Sequence, residues 1–365
     1  MEQDISALQS PRIAFFLGSN DLGRAWGHHV VISLATELNK LGFDSCVFGY
    51  YGLAVFGMKR VGYSSVLGKI STAARYLAES ICMKSASARL SYSNLAKLLL
   101  KREIDIVFTT WPYPGLARAA QRSGSRFVVW DLDSPSTLCD EAWLDAFQSA
   151  DLILTYSKGT VKILRQLGYG NVHWFPAFHD PAFFFPMDKV QKSNELVFVG
   201  DYFWQLRKTR GLQSIIEPLA RKYREKLVIY GRGWPRVPYA DCTVGEAIEW
   251  RQLNFLYNTS RICLNIHRDD QIRSELCLNP RTFDIMGAGG FMLCDYVEGT
   301  EDIFQIGGDF VVSKNEKDTL DLVERYLGNE EERNKIARSG HARVMRGHGV
   351  PTRGKQLVEL LKGLA

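Results

Sequence analysis

The sequence predicts an α/β protein made of two Rossmann-like domains. Three observations carry this expectation: a length of 365 residues, strand-sized apolar runs that alternate with helical stretches, and a proline-broken segment near the middle after which the same rhythm restarts. A single hydrophobic core stops growing at roughly 250–300 residues, so a chain of this length divides most readily into two domains of ordinary size. Strands that alternate with helices build mainly parallel sheets covered by those helices.

In the first half, apolar runs at 12–17, 45–50, 104–109, 126–130, 151–155 and 172–175 read as strands. Residues 28–40 place Val31, Leu34, Ala35 and Leu38 on one helical face, and Gly42 closes that helix. The segment 175–194 carries Pro176, Pro181 and Pro186, then Lys189, Gln191 and Lys192, and has no steady period, which marks it as a connection. Beyond it, strands are expected at 195–199, 226–230, 261–266, 290–294 and 309–312, and helices at 209–223 (with Pro218 as an irregularity), 316–327, 330–345 and 352–361. The expected organisation is an N-terminal domain over 1–180, a linker over 181–194, a second domain over 195–350 and a terminal helix over 351–365.

Composition excludes several classes. With 46% hydrophobic and 23% charged residues the chain is not of the disordered type. Residues 1–9 hold two acids and no apolar run, unlike a secretory signal, and no apolar stretch approaches the roughly 20 residues that span a bilayer. Seven cysteines without a CxxC pair, several inside apolar runs, read as reduced, so a cytoplasmic protein is expected. The net charge of +5 is uneven: 59–102 contains nine basic residues against Glu79 alone. Such a segment can draw in an anionic acceptor or dock on an anionic membrane surface, although a solvated amphipathic face explains it as well. Because no recognised nucleic-acid-binding module accompanies the charge, nucleic acid is set aside as a partner.

Ligands of doubly wound sheets bind beyond the carboxyl ends of the strands, which directs attention to the loops there. After the first strand, Gly18, Gly23 and Gly27 precede His28 and His29. Their spacing is not the dinucleotide fingerprint, which ranks a nicotinamide oxidoreductase low; either histidine could face substrate or serve in capping and packing. Trp130-Asp131-Leu132-Asp133-Ser134-Pro135 puts two carboxylates at a strand end, where they could position an acceptor hydroxyl or hold the loop. In the second half, Arg207, Lys208 and Arg210 cluster where a helix begins, an arrangement suited to a diphosphate or, failing that, a solvated basic turn. Gly231 and Gly233 permit close approach by a flat or charged ligand. His267 follows another strand and is either a phosphate donor or a structural residue. The densest signal is Asn279-Pro280-Arg281-Thr282-Phe283-Asp284: Asn279 caps a helix, Pro280 fits its first position, phosphate suits the early amides, and Asp284 lies one turn in, facing sugar hydroxyls or solvent. No Cys or His spacing supplies a metal site.

At Trp130–Pro135, Ala150–Tyr156, Leu196–Gly200, Tyr230–Trp234, Leu264–Arg268 and Asn279–Asp284, and in the tail His341–Arg353, the chain resembles the CgeB-type glycosyltransferases, over most of its length and in the same order. The resemblance implies the GT-B fold: two Rossmann-like domains facing a central cleft, an acceptor-side first domain, a nucleotide-sugar-binding second domain, and a last helix crossing back to the first. It implies transfer of a sugar from a nucleoside-diphosphate sugar, metal-independent and without a further cofactor. Arg207, Lys208, Arg210, His267 and Arg281 are then candidates to stabilise the leaving diphosphate, and His28, His29, Asp131 and Asp133 lie on the acceptor side. Arg210 before Gly211 matches the family's positive residue, and Asp284 matches its ribose-binding carboxylate, usually glutamate. Eight positions earlier, where retaining relatives carry another glutamate, this chain has Leu276, with Glu275 one residue out of register. A nucleotide-sugar epimerase and a non-catalytic nucleotide-sugar-binding protein are the alternatives.

Overall fold

The computed structural model describes residues 11–16, 28–48, 54–57, 92–113, 115–202, 209–236, 238–246 and 248–364. The first half contributes β1 (Arg12–Phe16), α1 (His28–Lys40), β2 (Asp44–Phe48), β3 (Ala54–Gly57), α2 (Tyr92–Lys101), β4 (Ile106–Thr109), α3 (Leu116–Ser123), β5 (Arg126–Asp131), α4 (Glu141–Ser149), β6 (Leu152–Thr155), α5 (Lys158–Gln166) and β7 (Val172–Trp174). Among the described residues these strands form a seven-stranded sheet in the order β3-β2-β1-β4-β5-β6-β7, parallel except for the antiparallel β2–β3 pair. Alternation sorts β1 between two cores: Ile13 and Phe15 join Leu34, Phe108 and Trp130 on one face, whereas Ala14 and Phe16 join Val107, Trp143 and Phe147 on the other.

The second half contributes β8 (Asn194–Val199), α6 (Glu217–Tyr223), β9 (Leu227–Tyr230), β10 (Thr243–Gly245), α7 (Trp250–Thr259), β11 (Ser260–Asn265), α8 (Asp269–Ile272), α9 (Pro280–Gly287), β12 (Met292–Cys294), β13 (Val311–Val312), α10 (Glu316–Gly328), α11 (Glu330–Gly347) and α12 (Val350–Lys362). Its sheet is parallel, in the order β10-β9-β8-β11-β12-β13. The irregularity expected at Pro218 is a wide π-type turn over Leu212–Ile216 that hands over to α6. A widened turn spares the ring its clash with the preceding turn and absorbs the missing N–H.

The chain crosses between the domains twice, and the crossings run side by side. The His179 N–H donates to the His348 carbonyl at 2.8 Å, and Val350 N–H returns to the His179 carbonyl at 2.8 Å. Arg353 then donates to the Pro176 carbonyl. From there α12 packs on the first domain, with Val350, Leu357, Leu361 and Leu364 entering the core built around Ile13 and Leu34. Gly354 permits the approach, because a Cβ there would lie 2.7 Å from Glu37 Cγ on α1. Two Rossmann-like lobes joined by this double crossing are therefore present. Strand order reverses between β1 and β4 in one sheet and between β8 and β11 in the other, and those reversals define where each lobe opens a crevice for ligand.

Candidate active site between the two domains

The crevice of the second domain lies at the carboxyl ends of β8 and β11. Asn265, fully buried at the end of β11, donates to Asn279 Oδ1 and Thr282 Oγ1 and accepts from Asn279 Nδ2 at 3.0 Å and Arg281 Nη1 at 2.9 Å. Asn279 caps α9 by accepting from the Thr282 N–H, and Pro280 occupies the first turn. One asparagine thus fixes both a helix start and the guanidinium beside it. That guanidinium sits 5.0 Å over the Phe198 ring and abuts Gly200, where a Cβ would lie 3.0 Å from Arg281 Nη2. Burial pulls the Arg281 pKa down, opposed by Tyr257, Asp284, Asp295 and Asp201. A poorly solvated cation at the positive end of a helix is a place where an anion is stabilising.

Other donor-side candidates have defined places. His267 donates or shares its Nδ1 proton with Asp295 Oδ1 at 2.7 Å, while its Nε2 accepts the Asn279 N–H at 3.3 Å. Both ring nitrogens are engaged within the domain, and the histidine braces the turn into α9; this is the structural one of its two sequence readings. Arg210 is exposed, with Nη2 on the Lys314 carbonyl and its backbone N–H on Asp269. Gly211 after it is tightly enclosed, since a Cβ would meet Asp295 Oδ2 at 2.4 Å. Arg207 and Lys208 lie outside the described residues. The room left by Gly231 and Gly233 is taken by protein: Cβ atoms there would lie 2.0 Å from the Gly200 carbonyl oxygen and 2.7 Å from that of Tyr202. These glycines, with φ of +156° and +79°, let two loops meet, and the space a Cβ would need is filled by protein.

Asp284 is neither on a solvated face nor open to the crevice. It is fully buried, and His29 at the start of α1 brings Nε2 to 3.5 Å from its Oδ1, so the contact crosses between the domains. Burial raises the Asp284 pKa against the lowering influence of His29 and Arg281. His28 begins α1, and its side chain lies outside the described residues, as do residues 17–27 before it.

The two carboxylates after β5 have different roles. Asp131 is fully buried; it accepts from the Asp133 N–H at 2.9 Å, from Thr137 Oγ1 at 2.8 Å and from Ser134 Oγ. It holds the loop, and every contact described for it faces inward. Asp133 has a side chain 57% exposed and accepts from Arg268 Nη1 at 3.3 Å. Arg268 Nη2 also donates to the Asp133 carbonyl at 2.7 Å and to Ser136 Oγ at 3.1 Å, and Asp270 holds the guanidinium from behind. Sequence reasoning assigned Arg268 no role; a charge directly beyond a strand's carboxyl end was the available signal. Alongside it, Lys158 and Lys162 of α5 clasp Glu275, Ser157 Oγ meets Ser274 Oγ at 2.6 Å, and Gln271 donates to Tyr156 OH at 2.5 Å. Glu275, one residue out of the family register, is an interdomain tie. Among the described residues no group of three or more His, Cys, Asp or Glu could hold a metal ion, and no helix is long and apolar enough to cross a membrane.

The model of a family described as glycosyl transferase-like matches residues 207–359. No curated protein sequence matches the chain. Among solved structures, it is similar to sucrose-phosphate synthase from Thermosynechococcus elongatus, at TM-score 0.65 and 12% identity over 97% of this chain and 99% of that one. It is similar also to Anabaena HepE in complex with UDP-glucose (TM-score 0.64, 12% identity, 96% and 99% covered), and to an α-glucosyltransferase in complex with UDP and a 13-mer DNA (TM-score 0.66, 10% identity, 97% and 100% covered). At such identities the likeness establishes the fold: two facing Rossmann-like lobes of GT-B architecture. One expectation is overturned. Nucleic acid was set aside for want of a recognised binding module, yet an α-glucosyltransferase of similar fold is held in complex with DNA. Nucleic acid therefore stands among the candidate partners. The basic segment 59–102 falls outside the described residues up to Ser91.

Proposed function

We propose that this protein transfers a sugar from a nucleoside-diphosphate sugar to a hydroxyl-bearing acceptor, with the donor in the second domain and the acceptor against the first. The observation that carries the reading is Arg281, a half-buried guanidinium fixed by Asn265 beside Gly200 at the reversal of the second sheet. Negative charge develops on the diphosphate as the glycosidic bond breaks, and preoriented cations and helix amides stabilise it without reorganising. Arg281 and the start of α9 supply that charge, with Arg210 a further candidate for it; Arg207 and Lys208, which precede Arg210 in sequence, lie outside the described residues. The family match over 207–359 and the UDP-glucose held by HepE support this donor class. Membership of the CgeB-type group rests on the order of the motifs along the chain. The family resemblance assigns Asp284 to the ribose, a contact that requires His29 to leave it. Acceptors to be considered include nucleic acid, as held by the α-glucosyltransferases.

Incubation with a panel of nucleotide sugars, each with glycan, DNA and small-molecule acceptor pools, tests the reading by release of nucleoside diphosphate. Acceptor-dependent release is expected, and the product's anomeric configuration then assigns retention or inversion. Isomerised donor without any acceptor dependence would replace this reading with an epimerase. Tight donor binding with no turnover would make the protein a binding module.

A further inference from the structure

Beyond the carboxyl end of β4 in the first domain stands a side chain that the donor chemistry leaves unused. Trp111 stands two residues beyond β4 with 43% of its surface exposed, whereas Trp130 and Trp143 of the same domain are 0% and 4% exposed. It is held rigidly. The buried Thr109 hydroxyl accepts the Trp111 N–H at 3.2 Å and donates to its carbonyl at 2.7 Å. Tyr113 N–H binds the same carbonyl at 2.9 Å. The indole meets the Trp143 ring at 71° with centroids 6.2 Å apart, and Trp143 packs in turn on Phe147. One strand over, the loop after β5 presents the exposed Asp133 carboxylate, fixed by Arg268.

We infer that Trp111 is the platform on which a carbohydrate acceptor lays the apolar face of a sugar ring, with Asp133 accepting hydrogen bonds from its hydroxyls. This rests on the transferase reading for the word acceptor, and on the structure alone for the platform. A large exposed aromatic braced on a buried one presents apolar area without ordering cost on binding. A carboxylate on the neighbouring loop accepts hydrogen bonds from hydroxyls, which suits a sugar ring laid on the indole.

Saturation-transfer NMR with neutral gluco-, galacto-, manno- and N-acetylglucosamine oligosaccharides, without donor, tests this directly. The unmodified protein is expected to bind at least one. Trp111→Ala is expected to weaken that binding about tenfold and Trp111→Phe less. Trp111→Leu, which keeps apolar bulk against Trp143, is expected to lose it as Trp111→Ala does, so a folding defect in the alanine variant leaves the question answerable. Leu100→Ala, an exposed apolar position on α2 near the opposite end of β4, is expected to bind as the unmodified protein does. Undiminished binding by folded Trp111→Leu overturns the platform, as does failure of every neutral oligosaccharide to bind. Binding only of a single-stranded oligonucleotide overturns it in favour of base stacking. Because this assay contains no donor, it reads the platform separately from the chemistry: glycan binding through Trp111, together with no turnover in the nucleotide-sugar panel, would defeat the transferase reading and leave the platform standing.

Discussion

Asp131 shows what burial does to a carboxyl at the end of a strand. Its carboxyl is raised from 3.8 to about 6 by burial, against the hydrogen bonds from Ser134, Asp133 and Thr137. Between those values the folded protein binds the proton and the unfolded chain does not, so this residue's contribution to stability falls as pH rises from about 4 to about 6. The span corresponds to about 3 kcal/mol at most. Asp131→Asn is expected to lose that part of the pH slope in denaturant titrations at pH 4, 5, 6 and 7; an unchanged slope would contradict the assignment. Asp284 allows a second test. Asp284→Asn removes a charge-assisted acceptor worth about 1.5–3 kcal/mol, a 10- to 150-fold effect on donor affinity. If the carboxylate meets the 2′-hydroxyl, discrimination against a 2′-deoxy donor should fall with it; unchanged affinity and discrimination would leave Asp284 only the contact with His29. The Asn279–Pro280 cap was legible in sequence because capping is local. For His267 the sequence left two readings open, because the Asp295 that engages its ring lies 28 residues away; for Asp131 it left two open although the partners at 133, 134 and 137 are local, because spacing does not tell which way a carboxylate turns.

Elements followed the sequence where burial imposed a period. β5, β8 and β11 are fully covered over most of their lengths and were expected within a residue or two, as was α1. β10 was missed: it is a three-residue edge strand with largely exposed side chains, held by backbone pairing to β9 and not by an apolar pattern. β3, the antiparallel edge partner of β2, was missed as well. The docking of α5 onto the loop at 274–277 was equally invisible, because no pattern within α5 announces a partner 117 residues away. Its contact depends on Gly159, where a Cβ would meet Ser274 Oγ at 2.6 Å and the Glu275 backbone nitrogen at 2.9 Å. Gly159→Ala should therefore press the domains apart here, at a cost of about 1–3 kcal/mol for overpacking. The expected readout is a lowered melting temperature together with loss of transfer; a variant with unaltered melting and turnover would show that the contact yields freely.

At the scale of the molecule, the structure joins a loop of the first domain to one of the second through Arg268. Its guanidinium, with 10% side-chain exposure, ties the Asp133–Ser136 loop to the end of β11, adjacent to the Asn265 that orients Arg281. Arg268→Lys keeps the charge but loses the fork, and is expected to raise donor hydrolysis relative to transfer as the two loops lose register, because a lysine cannot reach several acceptors in fixed geometry. An unchanged partition between hydrolysis and transfer would reduce Arg268 to a surface tie. The two-domain plan could be read from the restart of the strand and helix rhythm, whereas the interface could not, being written in single residues of both halves. The most direct test of the proposed chemistry is calorimetric titration of nucleoside diphosphates into the unmodified protein and Arg281→Ala. Binding to the unmodified protein, weakened about 10- to 150-fold by loss of a charge-assisted contact, is expected; equal affinity in a folded Arg281→Ala variant, or no nucleotide binding by either protein, would contradict it.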